Sequence, residues 1–188
     1  MGGRRAASSR CRYLDDGGAI GHPVRQSLAG SASARRSWGL ARIRHAHAAA
    51  ARRAERLGFD LVELLGAHGF LLHSFLSPIT NRRADSYGGS LANRMRYPLE
   101  VAAAIREVWP RHKALGVRIT GTDWVDGGIT PDEAGIFAGK LRDIGFDYVC
   151  VSSGGISPAA RPAIGPSYQV SLAAAVNKPA ALRCRQSV

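Results

Sequence analysis

Residues 66–97, GAHGFLLHSFLSPITNRRADSYGGSLANRMRY, gather most of the side chains that could do chemistry. Two histidines, His68 and His73, precede a polar run containing Arg82, Arg83, Asp85 and Arg94. The histidines are five residues apart, not the four that put two ligands on one helix face, so no metal site is expected. His68 has two readings, a ring bonded to the loop backbone or a donor for a substrate oxygen. The Arg and Asp side chains are expected to lace the loop together, with Tyr87-Gly-Gly as a backbone turn. Arg118 is the other candidate. It interrupts the apolar run LGVRIT at 115–120, where an unpaired charge is costly, and one answer to that cost is a structural ion pair.

The elements that must position these residues alternate between strand and helix. Residues 45–57 are Ala-rich with charges to one side, and Gly58 stands where a helix C′ glycine belongs. Residues 60–65 (DLVELL) suit a buried strand. A helix is expected over 98–109, with Pro98 at its first turn and Leu99, Ala102, Ile105 and Val108 on one face. Residues 115–120 form the next strand. Thr130-Pro-Asp-Glu133 is a capping box that opens a helix running to Gly145, and 147–152 (DYVCVS) is a third strand. The tetrapeptides LGFD at 57–60 and IGFD at 144–147 each close a helix and open a strand. Fully apolar strands alternating with helices indicate parallel β-structure, and the absence of G-x-G-x-x-G after any strand favours a barrel over a dinucleotide-binding sheet. The loop of roughly thirty residues after the first strand is unusually long, and in a barrel it lies on the carboxyl face, where active sites sit.

Composition narrows the function classes. The net charge is +12 over 188 residues, but residues 1–56 carry twelve Arg against three acids, whereas 57–155 carry ten basic and eleven acidic side chains. The positive charge therefore lies in the flanks. With no helix-turn-helix, finger or RNP signature, specific nucleic-acid binding is not expected. No run of eighteen apolar residues offers a membrane span. The first thirty residues lack a secretory h-region. Three cysteines without a C-x-x-C pair suggest neither a disulfide framework nor a zinc site and fit a reducing cytoplasm. Residues 1–40 are expected to be a poorly patterned basic segment, 41–170 the α/β unit, and 171–188 a basic, loosely ordered tail.

Residues 67–94, AHGFLLHSFLSPITNRRADSYGGSLANR, closely resemble the strand-four loop of Old Yellow Enzyme family flavoproteins, most of all their bacterial, xenobiotic-reductase-like branch. The resemblance continues through PLEV at 98–101, VRIT at 117–120, TDWVDGG at 122–128 and VSSGG at 151–155, and covers residues 45–170. The string N-R-R-x-D-x-Y-G-G-S-x-x-N-R is too long and too polar for a chance match. Upstream, QSLAGSASARRSW at 26–38 faintly resembles the family's strand-three segment without its histidine.

The resemblance implies a partial TIM (β/α)8 barrel, roughly strands three to six with their helices, that binds FMN. In such enzymes NAD(P)H passes hydride to the flavin, and the flavin passes it to the β-carbon of an activated alkene, the small-molecule substrate. A motif H-x-x-[HN]-x-Y supplies two donors to the substrate oxygen and a tyrosine that protonates the α-carbon. On residues 65–70 the motif becomes Leu65, His68 and Phe70, so one donor remains and the proton donor lacks its hydroxyl. A lost oxyanion donor costs ~10²–10³ in rate, and a lost general acid ~10²–10⁴. By the same resemblance Arg118 reaches the flavin N1/O2 edge, where a cation stabilises reduced flavin, and Gln26 bonds the pyrimidine edge. The family's phosphate-binding loops are expected beyond residue 188. A half-barrel leaves parallel edges open to a second copy, so a homo-oligomer is one expectation. The alternative is a non-catalytic, truncated remnant of such an enzyme.

Overall fold

A computed structural model describes residues 37–162, 164–180 and 183–186. Helix α1 (Ser37–Arg56) leads into strand β1 (Leu61–Gly66), which is followed by a short helix α2 (Leu71–Leu76) and a long helix α3 (Leu91–Val108). Strand β2 (Ala114–Thr120), helix α4 (Pro131–Ile144) and strand β3 (Tyr148–Ser152) come next, and helix α5 (Val170–Ala180) and strand β4 (Arg183–Gln186) close the series. The four strands form one parallel sheet in the order β1-β2-β3-β4. Each parallel step needs a crossover, and α3, α4 and α5 supply the three helices. This is the expected partial barrel grammar.

The two sides of the sheet differ in chemistry because successive side chains point to opposite faces. Leu64, Leu115, Val117, Ile119, Val149 and Val151 face the helices and are buried with Val101 and Ile105 of α3, Phe137 and Leu141 of α4, and Val176 of α5. Leu115, Val117 and Ile119 are each at most 1% exposed, and burial of such side chains contributes roughly 1.5–3 kcal/mol apiece. The other face carries two cross-strand rows. Glu63, Gly116 and Tyr148 form the lower row, and Leu65, Arg118 and Cys150 form the row nearer the carboxyl ends. The Tyr148 ring lies over Gly116, in the space a Cβ there would need, and its hydroxyl donates to Glu63 Oε2 at 2.9 Å.

Segment 77–97 forms a strap beside the sheet. Asn81, 5% exposed, donates from Nδ2 to the Phe75 and Tyr87 carbonyls (2.7 and 2.8 Å), while its Oδ1 accepts from the Arg83 N–H. Asp85 accepts from Arg83 Nε at 2.9 Å and from the Tyr87 N–H at 3.1 Å. Arg94 is buried and donates to the carbonyls of Leu76 and Gly89 and to Glu133 Oε1. The loop therefore is laced by Arg83, Asp85 and Arg94, whereas Arg82 is exposed.

Several expectations are corrected. The helix expected at Pro98 begins at Leu91, because Ser90 accepts from the Asn93 N–H as N-cap, and Pro98 lies inside the helix. Thr130 caps α4 as expected, accepting from the Glu133 N–H, but the Glu133 carboxylate accepts from Arg94. Residues 171–188 were expected to be a loose tail, yet they hold most of α5 and all of β4. The fourth strand thus follows the three clear ones. Residues 26–36 of the segment likened to strand three lie outside the described residues, and Ser37 and Trp38 open α1.

Candidate active site at the carboxyl ends of the strands

The turns after β1, β2 and β3 meet over the end of β2. After β1, His68 and Gly69 both take the left-handed conformation (φ 56° and 78°), and so do Trp124 after β2 and Gly154 and Gly155 after β3. Glycine is required where the turns touch. A Cβ on Gly69 would lie 2.8 Å from the Gly155 carbonyl oxygen, and one on Gly155 would lie 2.7 Å from His68 Cα. His68 is a non-glycine residue at positive φ, which costs ~1–2 kcal/mol and persists only where the surroundings fix it. Its N–H donates to Thr120 Oγ1 at 3.2 Å, and its Nε2 lies 2.5 Å from Ser152 Oγ.

Burial and the Arg118 charge together set the electrostatics of this corner. Burial, then the Arg118 charge, then His73 pull the His68 imidazole from its ordinary 6.5 down to about 4. His68 is therefore neutral near pH 7. It can present one ring N–H or one ring lone pair, with Arg118 as the nearby cation. The resemblance motif is completed differently from the family pattern: Leu65 sits beside Arg118 in the upper row, and Phe70 is 49% exposed at the start of α2. Neither side chain has a proton to donate.

Beneath the turns lies a fully buried imidazole–carboxylate pair. His73 Nε2 is 2.9 Å from Asp123 Oδ1, and both side chains are 0% exposed. Asp123 Oδ2 also accepts the Ser77 hydroxyl at 2.6 Å and the Ile129 N–H at 2.9 Å. Burial pushes the Asp123 carboxyl up, but the close contact with His73, with the Ser77 and Ile129 bonds, outweighs it and holds it below its ordinary value.

The structure thus brings His68 and Arg118 together, whereas Gln26 lies outside the described residues. Ser152 and the His73–Asp123 pair were missed by sequence reasoning. So were Trp124 Nε1 and Ser153 Oγ, buried polar atoms with no partner among the described residues. Their only signal was membership of the TDW and VSS runs. No group of three metal-ligating side chains occurs among the described residues, and no helix there is long and apolar enough to cross a membrane.

The parallel α/β sheet, with an arginine and a histidine at its carboxyl ends, frames the candidate site, and the comparisons show the family. The sequence model of the NADH:flavin oxidoreductase / NADH oxidase family matches residues 40–178, and the chain belongs to that family. It is 49% identical over 125 residues to an NADPH dehydrogenase of Clostridium acetobutylicum, covering 66% of this chain and 36% of that protein. An NADH:flavin oxidoreductase of Gibberella zeae is 45% identical over 142 residues, covering 69% of this chain and 34% of its own length. The chain therefore spans about a third of the length of the curated relatives it matches. Among solved structures, a 2-naphthoyl-CoA reductase complex superposes with a TM-score of 0.71 at 30% identity, covering 79% of this chain and 23% of that one. Morphinone reductase in complex with tetrahydroNAD gives 0.64 at 29%, covering 81% and 40%. FMN and NAD(P)H are the cofactors this family implies.

Proposed function

We propose that the chain contributes the His68–Arg118 corner of an FMN-dependent NAD(P)H oxidoreductase of the ene-reductase type. The observation that carries the reading is the pairing of a cation, Arg118, with a neutral imidazole, His68, at the carboxyl ends of adjacent strands in a member of this family. The donor set suits FMN along one edge. Arg118 supplies a fixed positive charge for the pyrimidine edge, and Trp124 Nε1 and Ser153 Oγ are unpartnered donors on the neighbouring turns. When bound, FMN would supply the hydride that reduces an activated alkene. The residues of this chain do the rest. His68 hydrogen-bonds the substrate's carbonyl or nitro oxygen in place of Ser152, and Arg118 favours negative charge beside it. Phe70 leaves the α-carbon to be protonated by water. The reading extends to a small activated alkene as substrate, a cytoplasmic location and self-association through the sheet edges.

Leu65 and Phe70 favour a second reading, in which the chain is a non-catalytic remnant that retains the family's fold. Titration of the purified chain with FMN, followed by absorbance and fluorescence, separates the two. Saturable binding with a perturbed flavin spectrum, weakened at least ~10-fold by Arg118→Leu, supports the first. A folded chain that leaves the flavin spectrum unchanged overturns it. If FMN binds, the double variant Leu65→His, Phe70→Tyr is expected to raise enone reduction by ~10² or more, since it restores one donor and one acid.

A further inference from the structure

His68 holds its place in a disfavoured conformation, and the residue that pins it lies five positions further along the chain. The Gly69 N–H donates to His73 Nδ1 at 2.8 Å. A ring nitrogen that accepts carries no proton, so the ring proton of His73 sits on Nε2, 2.9 Å from Asp123 Oδ1. The opposite tautomer would set an Nδ1–H against the Gly69 N–H, donor against donor. Asp123 is fixed in turn by Ser77 and the Ile129 N–H. A carboxylate on the β2 turn thus selects the tautomer of a helix α2 imidazole, and the imidazole anchors the peptide after His68 on the β1 turn.

We propose that His73 is a positioning residue for His68, clamping the His68–Gly69 turn through the Gly69 N–H, with Asp123 dictating which ring nitrogen faces that turn. The inference rests on the reading of His68 as the ligand-facing donor. It says what His73 is for beyond filling the core, because a filler paired with Asp123 would need only Nε2. The clamp acts together with the bond from the His68 N–H to Thr120 Oγ1, itself 3.4 Å from His73 Nδ1. The result is a His68 ring directed at Ser152 and shielded beside Arg118.

Two variants pull the functions of His73 apart. His73→Asn places an amide oxygen near the site of Nδ1, keeping an acceptor for Gly69 and abandoning Asp123. His73→Gln places an amide nitrogen near the site of Nε2, keeping Asp123 and abandoning Gly69. Amide hydrogen exchange at Gly69 and the His68 titration, followed by NMR on the flavin-free chain, give the readout. The charged and titratable groups facing His68 are Arg118 and His73, and both variants remove the second equally. His73→Asn is expected to lower stability but keep Gly69 protected and the His68 midpoint near about 4. His73→Gln is expected to retain more stability, yet speed Gly69 exchange at least ~10-fold and move the His68 midpoint up towards 6.5. The reverse ranking, or equal effects, overturns the proposal. Should either variant fail to fold, the unaltered chain decides. A scalar coupling across the hydrogen bond from the Gly69 amide to His73 Nδ1 supports the clamp, and its absence refutes it. Because no flavin is present, this result stands apart from whether FMN binds.

Discussion

The turn at 67–70 and the strap at 77–97 belong to one connection, yet they are built on different principles. The strap closes its polar groups on one another: Asn81 bonds three main-chain groups, and Arg94 ties α2, the turn at Gly89 and α4 together. The Phe75, Tyr87 and Tyr97 rings pack edge-on or tilted around it, with the Arg83 guanidinium 5.8 Å from two of them. The turn instead spends stability, with His68 held at positive φ against its preference and kept neutral beside a cation. It also carries Phe70, one of the two departures from the family's motif; the other, Leu65, lies just before it in β1. A scaffold residue bonds inward to its neighbours, whereas a site residue leaves something for a ligand to complete.

That contrast can be broken in order of expected effect. Arg94→Met should be the most damaging, at ~3 kcal/mol in denaturant unfolding, because it leaves the buried Leu76 carbonyl without a partner, frees the Gly89 carbonyl and the half-buried Glu133 carboxylate, and removes a buried guanidinium that ties three segments together. Asn81→Leu should follow at ~2 kcal/mol by the same measurement, leaving the Phe75 and Tyr87 carbonyls and the Arg83 N–H without partners. Acid should act through the turn. His68 has its folded value lowered from 6.5 to about 4, so the unfolded chain takes up the proton first. Its contribution is complete above 6.5 and is lost as the pH falls through about 4. After discounting for its partly exposed ring, the loss is ~1 kcal/mol, and His68→Gln should flatten that limb of the stability profile. Phe70→Tyr should change stability by less than ~0.5 kcal/mol, since its ring is 49% exposed. A large loss there would mean the turn is scaffold after all.

Much of the frame was legible because it is local. The three strands fall within one residue of their expected bounds, since each is a short, largely apolar run that opens after Asp60, Lys113 or Asp147. Gly145 takes the left-handed cap position that the IGFD boundary implied (φ 103°). Helix α3 was misjudged by one residue type: Pro98 is the usual sign of a first turn, but Ser90 is the stronger local cap, and the helix accommodates the proline in its interior. α5 and β4 were illegible for a similar reason. Pro179 interrupts the helical pattern, and Arg183 and Arg185 give a four-residue strand no apolar signature. In the site, Arg118 was conspicuous as a charge in an apolar strand. The His73–Asp123 pair joins residues fifty apart, and nothing in local spacing announces such a partner.

Gly116 and Tyr148, stacked in the lower row of the open sheet face, impose an order on how this chain can change. Tyr148 can be exchanged for a smaller residue while Gly116 stays as it is. The converse step forces the Tyr148 ring aside, because a Cβ at 116 would overlap Tyr148 Cζ, and it pulls the hydroxyl off Glu63. Substitutions at the two positions are therefore easier in one order: shrinking 148 first leaves room for 116 to grow without displacing a ring. Once 116 has grown, a returning tyrosine at 148 has to seat its ring elsewhere, away from Glu63.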